Sequence, residues 1–328
     1  MKKLMGIFDL AKSASPVGDL LILQEELKIC SKNWNTGDSF EIAFVGNKNS
    51  LLESLALGME GVVSADQFSK IGDVQNFINK FNKTHSPYPL PPRKGGEEKG
   101  EGNLYLTWPE ISPYGTIPHE YGYTLFIQES FRKNRSIPIL SCKQEAKNWA
   151  DQFVKDHAFP FVPIAVHLKN KFRSGERPDW YNARMESWAS FFRLIDNQYE
   201  VKFILIGNEP LPESIRECSN VVVSQDFGSN LLRDLALIES SFAFMGVASG
   251  PCQMAMFRKS PYVIFKNPEH HIERMFEELG SKEEYCFASA GQRFLRQFET
   301  VEKLMEEFEK IADLHPQLES QKRKGASR

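Results

Sequence analysis

The residues with the clearest capacity for chemistry lie in a turn of small side chains, Gly246 to Pro251, with the sequence GVASGP. An apolar run of strand length precedes this turn, and a short helical pattern, Cys252 to Phe257, follows it. Backbone N–H groups at the start of a helix lack partners within the helix, and the helix dipole attracts negative charge to them. The turn therefore predicts an anion site, in which we expect Ser249 and Gly250 to contact a phosphate.

A second candidate region begins where an apolar strand, Ile164 to Leu168, leads into a basic loop. His167 lies on the strand, and Lys169 and Arg173 lie in the loop. Both cations can neutralise an anion, Arg173 in a bidentate manner and Lys169 as a point charge. His167 has two interpretations, because an apolar strand is also typical of a core histidine whose hydrogen bonds are satisfied.

Polar residues also follow the next two strands of the pattern. Gly207, Asn208 and Glu209 come directly after an apolar strand, and Asp226 and Phe227 follow the strand after it. Because the carboxyl ends of parallel strands lie at one edge of a sheet, these residues are expected on the same edge as the turn. For Glu209, an ordinary loop acid is the alternative interpretation.

The N-terminal part of the chain supplies further candidates. A loop of small residues that includes Ser13 and Ser15 leads to Asp19 at the start of a helical pattern. Asp19 is expected to act as an acid or a base at the edge of a sheet, and a first-turn or N-cap acid is the alternative. His119 and Glu120 lie in an aromatic, proline-rich segment that suits ligand recognition, or equally a loop packed on its own aromatic side chains.

The elements that position these residues alternate between strands and helices in both halves of the chain. This alternation is typical of βαβ units and parallel sheets, so the sequence predicts an α/β protein with two Rossmann-like domains. We place the first domain at 1–158, with a flexible loop near 86–102, and the second at 159–300. A terminal helix with a basic tail occupies 301–328, and the prolines of His157 to Pro163 mark the predicted boundary.

The composition narrows the class of protein. The chain has 328 residues, enough for two domains of about 150 residues each. A net charge of −3 gives no electrostatic basis for binding nucleic acid. No apolar stretch is long enough for a membrane helix, the first residues lack a signal-peptide pattern, and the five cysteines include no C-x-x-C pair. These features predict a cytoplasmic protein.

Several binding motifs are missing from the sequence. The first loop lacks G-x-G-x-x-G, there is no D-x-D between strand residues, and no His or Cys cluster has the spacing of metal ligands. We therefore predict neither a cofactor nor a bound metal, and we interpret the adjacent His270 and His271 as loop packing. The basic tail Lys322 to Lys324 is interpreted as a solvated end, with weak contact at the inner face of the membrane as the alternative.

The segment Asn230 to Phe265 resembles the donor-binding segment of the lipopolysaccharide heptosyltransferase-like enzymes, which are GT-B glycosyltransferases. It contains a leucine-rich helix, NLLRDLALI, then a strand, the turn and an apolar strand, in the family's order. The loop that ends in Gly18 and Asp19 resembles the same family's S-x-x-G-D loop. Ser249 and the sequence His167-Leu168-Lys169 also resemble features of fucosyltransferase-like GT-B enzymes. The resemblance implies two Rossmann-like domains that face each other across a cleft.

The resemblance also implies a metal-independent transferase that moves a sugar from a nucleotide-diphosphate sugar to a glycan or lipid-linked acceptor. In this scheme Asp19 is the catalytic base, with His119 and Glu120 as alternatives, and Ser13 and Ser15 lie on the acceptor side. The implied donor-binding residues are His167, Lys169, Arg173, Gly207, Asn208, Glu209, Asp226, Phe227, Ser249, Gly250 and Gln253.

Two residues depart from the turn of the heptosyltransferase-like family, which has the form G-N-D-S-G-P-x-H-L-A. Ala248 stands where the family has an acid, and Gln253 stands where it has a histidine. The alternative function is therefore a GT-B-like protein that binds a nucleotide sugar, or a partner protein, without catalysing transfer.

Overall fold

The computed structural model describes residues 4–10, 13, 16–34, 37–70, 73, 104–108, 124–170 and 182–319. These residues form two compact α/β units. The first comprises Met1–Leu140 with Glu273–Glu278, and the second comprises Ser141–Ile272 with Leu279–Arg328. The sequence predictions that lie outside the described residues concern Ser15, the loop near 86–102, His119, Glu120, Arg173 and the basic tail.

The first unit is built on a four-stranded parallel sheet with the strand order β3-β2-β1-β4. Its strands are β1 (Leu4–Asp9), β2 (Phe40–Val45), β3 (Val62–Phe68) and β4 (Leu104–Trp108). Its helices include α1 (Pro16–Trp34), α2 (Ser50–Gly58) and α3 (Leu125–Asn134). The strand order reverses between β1 and β4, which makes the carboxyl ends of these two strands the topological switch point of the sheet.

Helix α1 carries apolar residues on one face and acids on another. Gln24, Glu25 and Glu26 are nevertheless all buried, because α1 packs against β1, α2 and α3 and has little surface left for solvent. Burial raises the pKa of Glu25 well above its ordinary value of 4.5, although the charges of Lys28 and Lys32 oppose the shift.

The buried Glu25 leads to a prediction about pH and stability. Its carboxylate oxygens have no hydrogen-bond partner among the described residues. Because the folded protein holds this proton more tightly than the unfolded chain does, stability should fall as the pH rises above 4.5. Replacement of Glu25 by Gln should raise stability near pH 8 by about 1 to 2 kcal/mol and flatten its pH dependence. Denaturant unfolding between pH 4 and pH 8 measures both effects, and an unchanged pH profile would contradict the prediction.

The second unit contains a six-stranded parallel sheet with the order β10-β9-β8-β5-β6-β7. Its strands are β5 (Val162–His167), β6 (Val201–Ile206), β7 (Val221–Val223), β8 (Ala243–Val247), β9 (Tyr262–Phe265) and β10 (Gln292–Leu295). Its helices include α4 (Gln144–His157), α5 (Met185–Asp196), α6 (Glu213–Arg216), α7 (Leu231–Ser240), α8 (Cys252–Met256) and α10 (Val301–Ala312), and α9 (Ile272–Leu279) is divided between the units.

This strand order is that of a doubly wound Rossmann-like sheet. The chain starts at β5, moves outward through β6 to β7, and then returns to the other side of β5 to add β8, β9 and β10. The switch point therefore lies between β5 and β8, and ligands of such sheets bind in the crevice outside the carboxyl ends of these strands. An aromatic core on one face, which includes Trp188, Phe191 and Phe203, holds the sheet against α5 and α10.

The two units divide at Leu140 and Ser141, and the predicted boundary near 158 is displaced from this position. Helix α4 belongs to the second unit because it is tied to α7. The Ser240 hydroxyl donates to Asp151 at 2.6 Å, and the Ser141 hydroxyl donates to Glu239 at 2.6 Å. The prolines that suggested a boundary instead mark the entry into β5. Within the described residues, no helix has the length and apolar character needed to cross a membrane.

Candidate functional site

The carboxyl ends of β5 and β8 approach each other closely at the switch point of the second unit. His167 on β5 pairs in register with Gly246 on β8. A Cβ atom at Gly246 would lie 2.4 Å from the backbone oxygen of His167, so only glycine allows this approach. The strand that carries His167 and the strand that leads into the turn are therefore neighbours, so their carboxyl ends lie at one edge of the sheet.

His167 and Glu209 form a buried pair beside this junction. Only 3% of His167 is exposed, and its Nε2 atom lies 3.4 Å from Oε2 of Glu209. The Nδ1 atom of His167 has no hydrogen-bond partner among the described residues. The interpretation as a satisfied core histidine therefore does not hold for Nδ1, and this nitrogen is the atom with the capacity to bind a ligand.

Gly207 allows the side chains of His167 and Glu209 to pack directly against its backbone. Its φ of +95° lies in the region that favours glycine. A Cβ atom there would lie 2.5 Å from Oε2 of Glu209 and 2.9 Å from the His167 ring. Gly207 thus acts by allowing the loop after β6 to turn tightly, whereas the sequence suggested it only as a binding residue. Asn208, which follows it, is exposed.

Asp234 on α7 is a functional candidate that the sequence reasoning missed. Its Oδ2 atom accepts from the backbone N–H of Gly207 at 3.0 Å, and its Oδ1 atom accepts from the hydroxyls of Ser224 at 2.8 Å and Ser229 at 2.6 Å. Burial raises the pKa of Asp234, and these three hydrogen bonds oppose the shift. The carboxyl group therefore joins the loop after β6 to the loop after β7.

The signal for Asp234 was present in the sequence. The apolar residues of α7 recur at helical spacing, and Asp234 lies among them, directly before Leu235. An acid on the buried face of a helix needs hydrogen-bond partners, because an unpaired buried carboxyl group is costly. That requirement indicates from the sequence alone that Asp234 accepts hydrogen bonds from neighbouring loops, although it does not say which loops.

The turn after β8 is fixed by Cys252. The Cys252 thiol donates to the backbone oxygen of Ser249 at 2.8 Å, and the Ser249 N–H donates to Sγ at 3.4 Å. Burial raises the pKa of Cys252 to about 11, which keeps the thiol protonated for this role. The Ser249 Oγ and Gln253 Oε1 atoms are buried and lack hydrogen-bond partners among the described residues. Helix α8 has only five residues, so its dipole is small.

Two lysines lie close to the turn. Lys169, which the sequence suggested, and Lys266, which it did not, both exert a charge effect on Cys252 that opposes its raised pKa. Lys266 follows β9 directly, so its position at the carboxyl end of a strand was the available signal. The described part of the site thus combines His167, Glu209 and Ser249 with two ammonium groups.

Asp226 and Phe227 lie farther along the same edge of the sheet, after β7. Asp226 pairs with Arg216 at 3.0 Å, and both side chains are about half exposed. The centroids of the Phe227 and His157 rings are 4.0 Å apart, and 48% of the surface of Phe227 is exposed. These residues have local partners and are not part of the cluster around His167.

Asp19 lies in the first unit, in the first turn of α1 beyond the carboxyl end of β1. It is 2% exposed, and its Oδ2 atom accepts from the Ser13 hydroxyl at 2.6 Å. Asp19 thus has the first-turn position of the alternative interpretation, and its role as an acid or a base stays a prediction. Among the described residues, no group of three His, Cys, Asp or Glu side chains could hold a metal ion.

Three solved structures are similar to this chain over most of its length. ADP-heptose LPS heptosyltransferase II from E. coli has a TM-score of 0.58 at 12% identity, over 94% of this chain and 98% of that chain. E. coli heptosyltransferase WaaC with ADP has a TM-score of 0.53 at 12% identity, over 94% and 99%. A family 9 glycosyl transferase from Veillonella parvula has a TM-score of 0.53 at 11% identity, over 89% and 85%. The chain has the GT-B fold.

The GT-B fold confirms the predicted architecture of two Rossmann-like domains and the resemblance to heptosyltransferase-like enzymes. At 11 to 12% identity, the likeness establishes the fold. No family model matches the sequence. No curated protein matches it significantly. What the chain does must therefore be argued from its own site.

Proposed function

We propose that this GT-B protein transfers a sugar from a nucleotide-diphosphate sugar to a glycan or lipid-linked acceptor, without a bound metal. The observation that carries the proposal is the cluster at the switch point between β5 and β8. There, His167 and Ser249 each present a buried polar atom that lacks a partner among the described residues, and Lys169 and Lys266 lie nearby. A diphosphate supplies the acceptor atoms and the negative charge that such a cluster lacks.

The donor would bind along the carboxyl edge of the second sheet. In the proposed arrangement, Ser249, Gly250 and Gln253 contact the diphosphate together with Lys169. His167 lies on β5 beside these residues, and Glu209, which follows β6 one strand farther toward β7, suits the ribose. Asn208, Asp226 and Phe227 lie farther out on this edge and suit the base, and Arg173 in the preceding loop completes the proposed donor residues.

Asp19 is the proposed catalytic base. Its carboxylate takes the proton of the acceptor hydroxyl as the acceptor oxygen forms a bond to the anomeric carbon. The bond from that carbon to the diphosphate breaks, and the nucleoside diphosphate leaves with the electron pair. Lys169 stabilises the leaving group electrostatically, and the Ser13 hydrogen bond holds the Asp19 carboxylate in one orientation.

Thermal unfolding with nucleotide sugars tests this proposal. The purified protein is heated alone and with ADP, GDP, UDP and CMP sugars, and one nucleotide class should raise the melting temperature by several degrees. A ligand at 100 times its Kd adds about 2.7 kcal/mol to stability. Replacement of Ser249 by Ala should weaken that ligand about tenfold, as expected for the loss of one hydrogen bond to a charged group.

A matched control is replacement of Ser219 by Ala, because Ser219 donates to Asp196 on the exposed surface. That variant should bind the donor as the wild-type protein does. If no nucleotide sugar raises the melting temperature of the wild-type protein, the proposal is contradicted.

The alternative function is nucleotide-sugar binding without transfer. It is favoured by Ala248 and Gln253, which replace the acid and the histidine of the heptosyltransferase-like turn. A donor that binds tightly but yields neither transfer nor hydrolysis in single-turnover reactions would support this alternative.

A further inference from the structure

The register of the second sheet places two lysines on opposite sides of the turn. His167, Gly246 and Ile264 form one row across β5, β8 and β9. The residues two positions later in the chain are Lys169 after β5, Ala248 after β8 and Lys266 after β9. Successive residues alternate between the faces of a strand, so positions two apart share a face. The lysines therefore flank Ala248, which carries no charge.

Hydrogen bonds show that the sheet pairing extends to Ala248 and Lys266. The N–H of Ala248 donates to the backbone oxygen of Phe265 at 2.7 Å, and the N–H of Lys266 donates to the backbone oxygen of Leu295 at 2.9 Å. The backbone of Lys266 therefore has a fixed position at the carboxyl end of β9.

The loop after β9 also orients the Lys266 side chain. Its Nζ atom lies 3.3 Å from Nδ1 of His270, whose ring stacks on that of His271 at a centroid distance of 3.7 Å. His271 has a φ of 57°, which non-glycine residues adopt rarely. A nitrogen of a neutral imidazole can accept from the ammonium group without adding a negative charge. The contact with His270 therefore orients the ammonium group of Lys266.

We propose that Lys266 is a second cation of the donor site and binds the terminal phosphate of the nucleoside diphosphate from the side opposite Lys169. This inference rests on the proposed function, and it adds a residue from β9 to a site otherwise built on β5, β6 and β8. A diphosphate carries more negative charge than one ammonium group can balance, so cations on two sides suit it. The shared effect of both lysines on the Cys252 thiol agrees with this placement.

The test compares ligands that differ only in phosphate number. Isothermal titration measures ADP, GDP, UDP and CDP, with the corresponding monophosphates and nucleosides, on the wild-type protein and on K266M, K266R and K259M. Lys259 is an exposed lysine at the opposite end of β9, which makes K259M the matched control. Melting temperatures and circular dichroism check that each variant is folded.

We expect K266M to weaken the preferred diphosphate by about tenfold to a hundredfold, the range for a hydrogen bond to a charged group. Monophosphate and nucleoside affinities should change by less than about threefold, because the terminal phosphate is missing from both. K266R should recover part of the affinity, and K259M should match the wild-type protein. The salt dependence of diphosphate binding should also be weaker in K266M.

Two results would overturn the inference. Equal diphosphate affinity in K266M and the wild-type protein would remove Lys266 from the site, and equal losses for diphosphate and nucleoside would give it a structural role only. Failure of the wild-type protein to bind any nucleoside diphosphate would instead overturn the proposed function, and this inference with it.

Discussion

Replacement of Asp19 by Asn is expected to lower the rate of sugar transfer by about a hundredfold to ten-thousandfold, the usual contribution of a general base. The amide matches the carboxylate in size and can still accept from the Ser13 hydroxyl, so the local structure should persist. It cannot take a proton from the acceptor. The affinity for the donor should therefore remain within about twofold of the wild-type value, and the loss should appear in kcat.

The first unit contains a suitable control for this substitution. Asp66 on β3 is also an aspartate that accepts from a serine, here Ser64 at 3.3 Å, but it is exposed. D66N should transfer sugar at the wild-type rate. A D19N variant with a near-normal kcat would show that another group is the base, and a D19N variant with impaired donor binding would show that Asp19 has a different role.

Replacement of Asp234 by Ala is expected to have the largest effect on stability. The buried carboxyl group accepts three hydrogen bonds, and its removal leaves the N–H of Gly207 and the hydroxyls of Ser224 and Ser229 without that acceptor. Each buried donor left unsatisfied costs about 1 to 3 kcal/mol, so we expect a loss of at least about 3 kcal/mol. Donor binding should weaken as well, because the loop after β6 carries Glu209. Urea unfolding and donor titration measure the two effects.

Two further variants separate the contributions of Asp234. D234N can accept from the serine hydroxyls through its amide oxygen, and it should be less destabilised than D234A. D196A removes an exposed acid that also accepts from a serine, and it should cost less than about 1 kcal/mol. If D234A unfolds at the same urea concentration as the wild-type protein, Asp234 does not organise these loops.

The elements with strong local patterns could be predicted from the sequence. The terminal helix and the apolar strand after the turn were both predicted, and they are α10 (Val301–Ala312) and β9 (Tyr262–Phe265). The helix has clear helical periodicity, and the strand is a short run of apolar residues. Strand β10 (Gln292–Leu295) was not predicted. Its sequence, QRFL, has no alternating pattern of its own and becomes a strand by pairing with β9 at the edge of the sheet.

The same distinction explains the site. His167, Glu209 and Ser249 could be grouped from the sequence because parallel strands bring their carboxyl ends to one edge. Asp234 could not be assigned its partners, because they come from loops after two different strands. The burial of the acids of α1 could not be predicted, because local periodicity does not show how many neighbours a helix has. Lys266 depends on sheet register, which follows from long-range pairing.

The most direct test of the central claim is a crystal structure of the protein with the nucleoside diphosphate that stabilises it most. The account predicts that the diphosphate lies outside the carboxyl ends of β5 and β8, with phosphate oxygens about 3 Å from Ser249 Oγ and from the Lys169 ammonium group. A diphosphate bound elsewhere on the protein, or contacts at this edge that involve only the base, would contradict it.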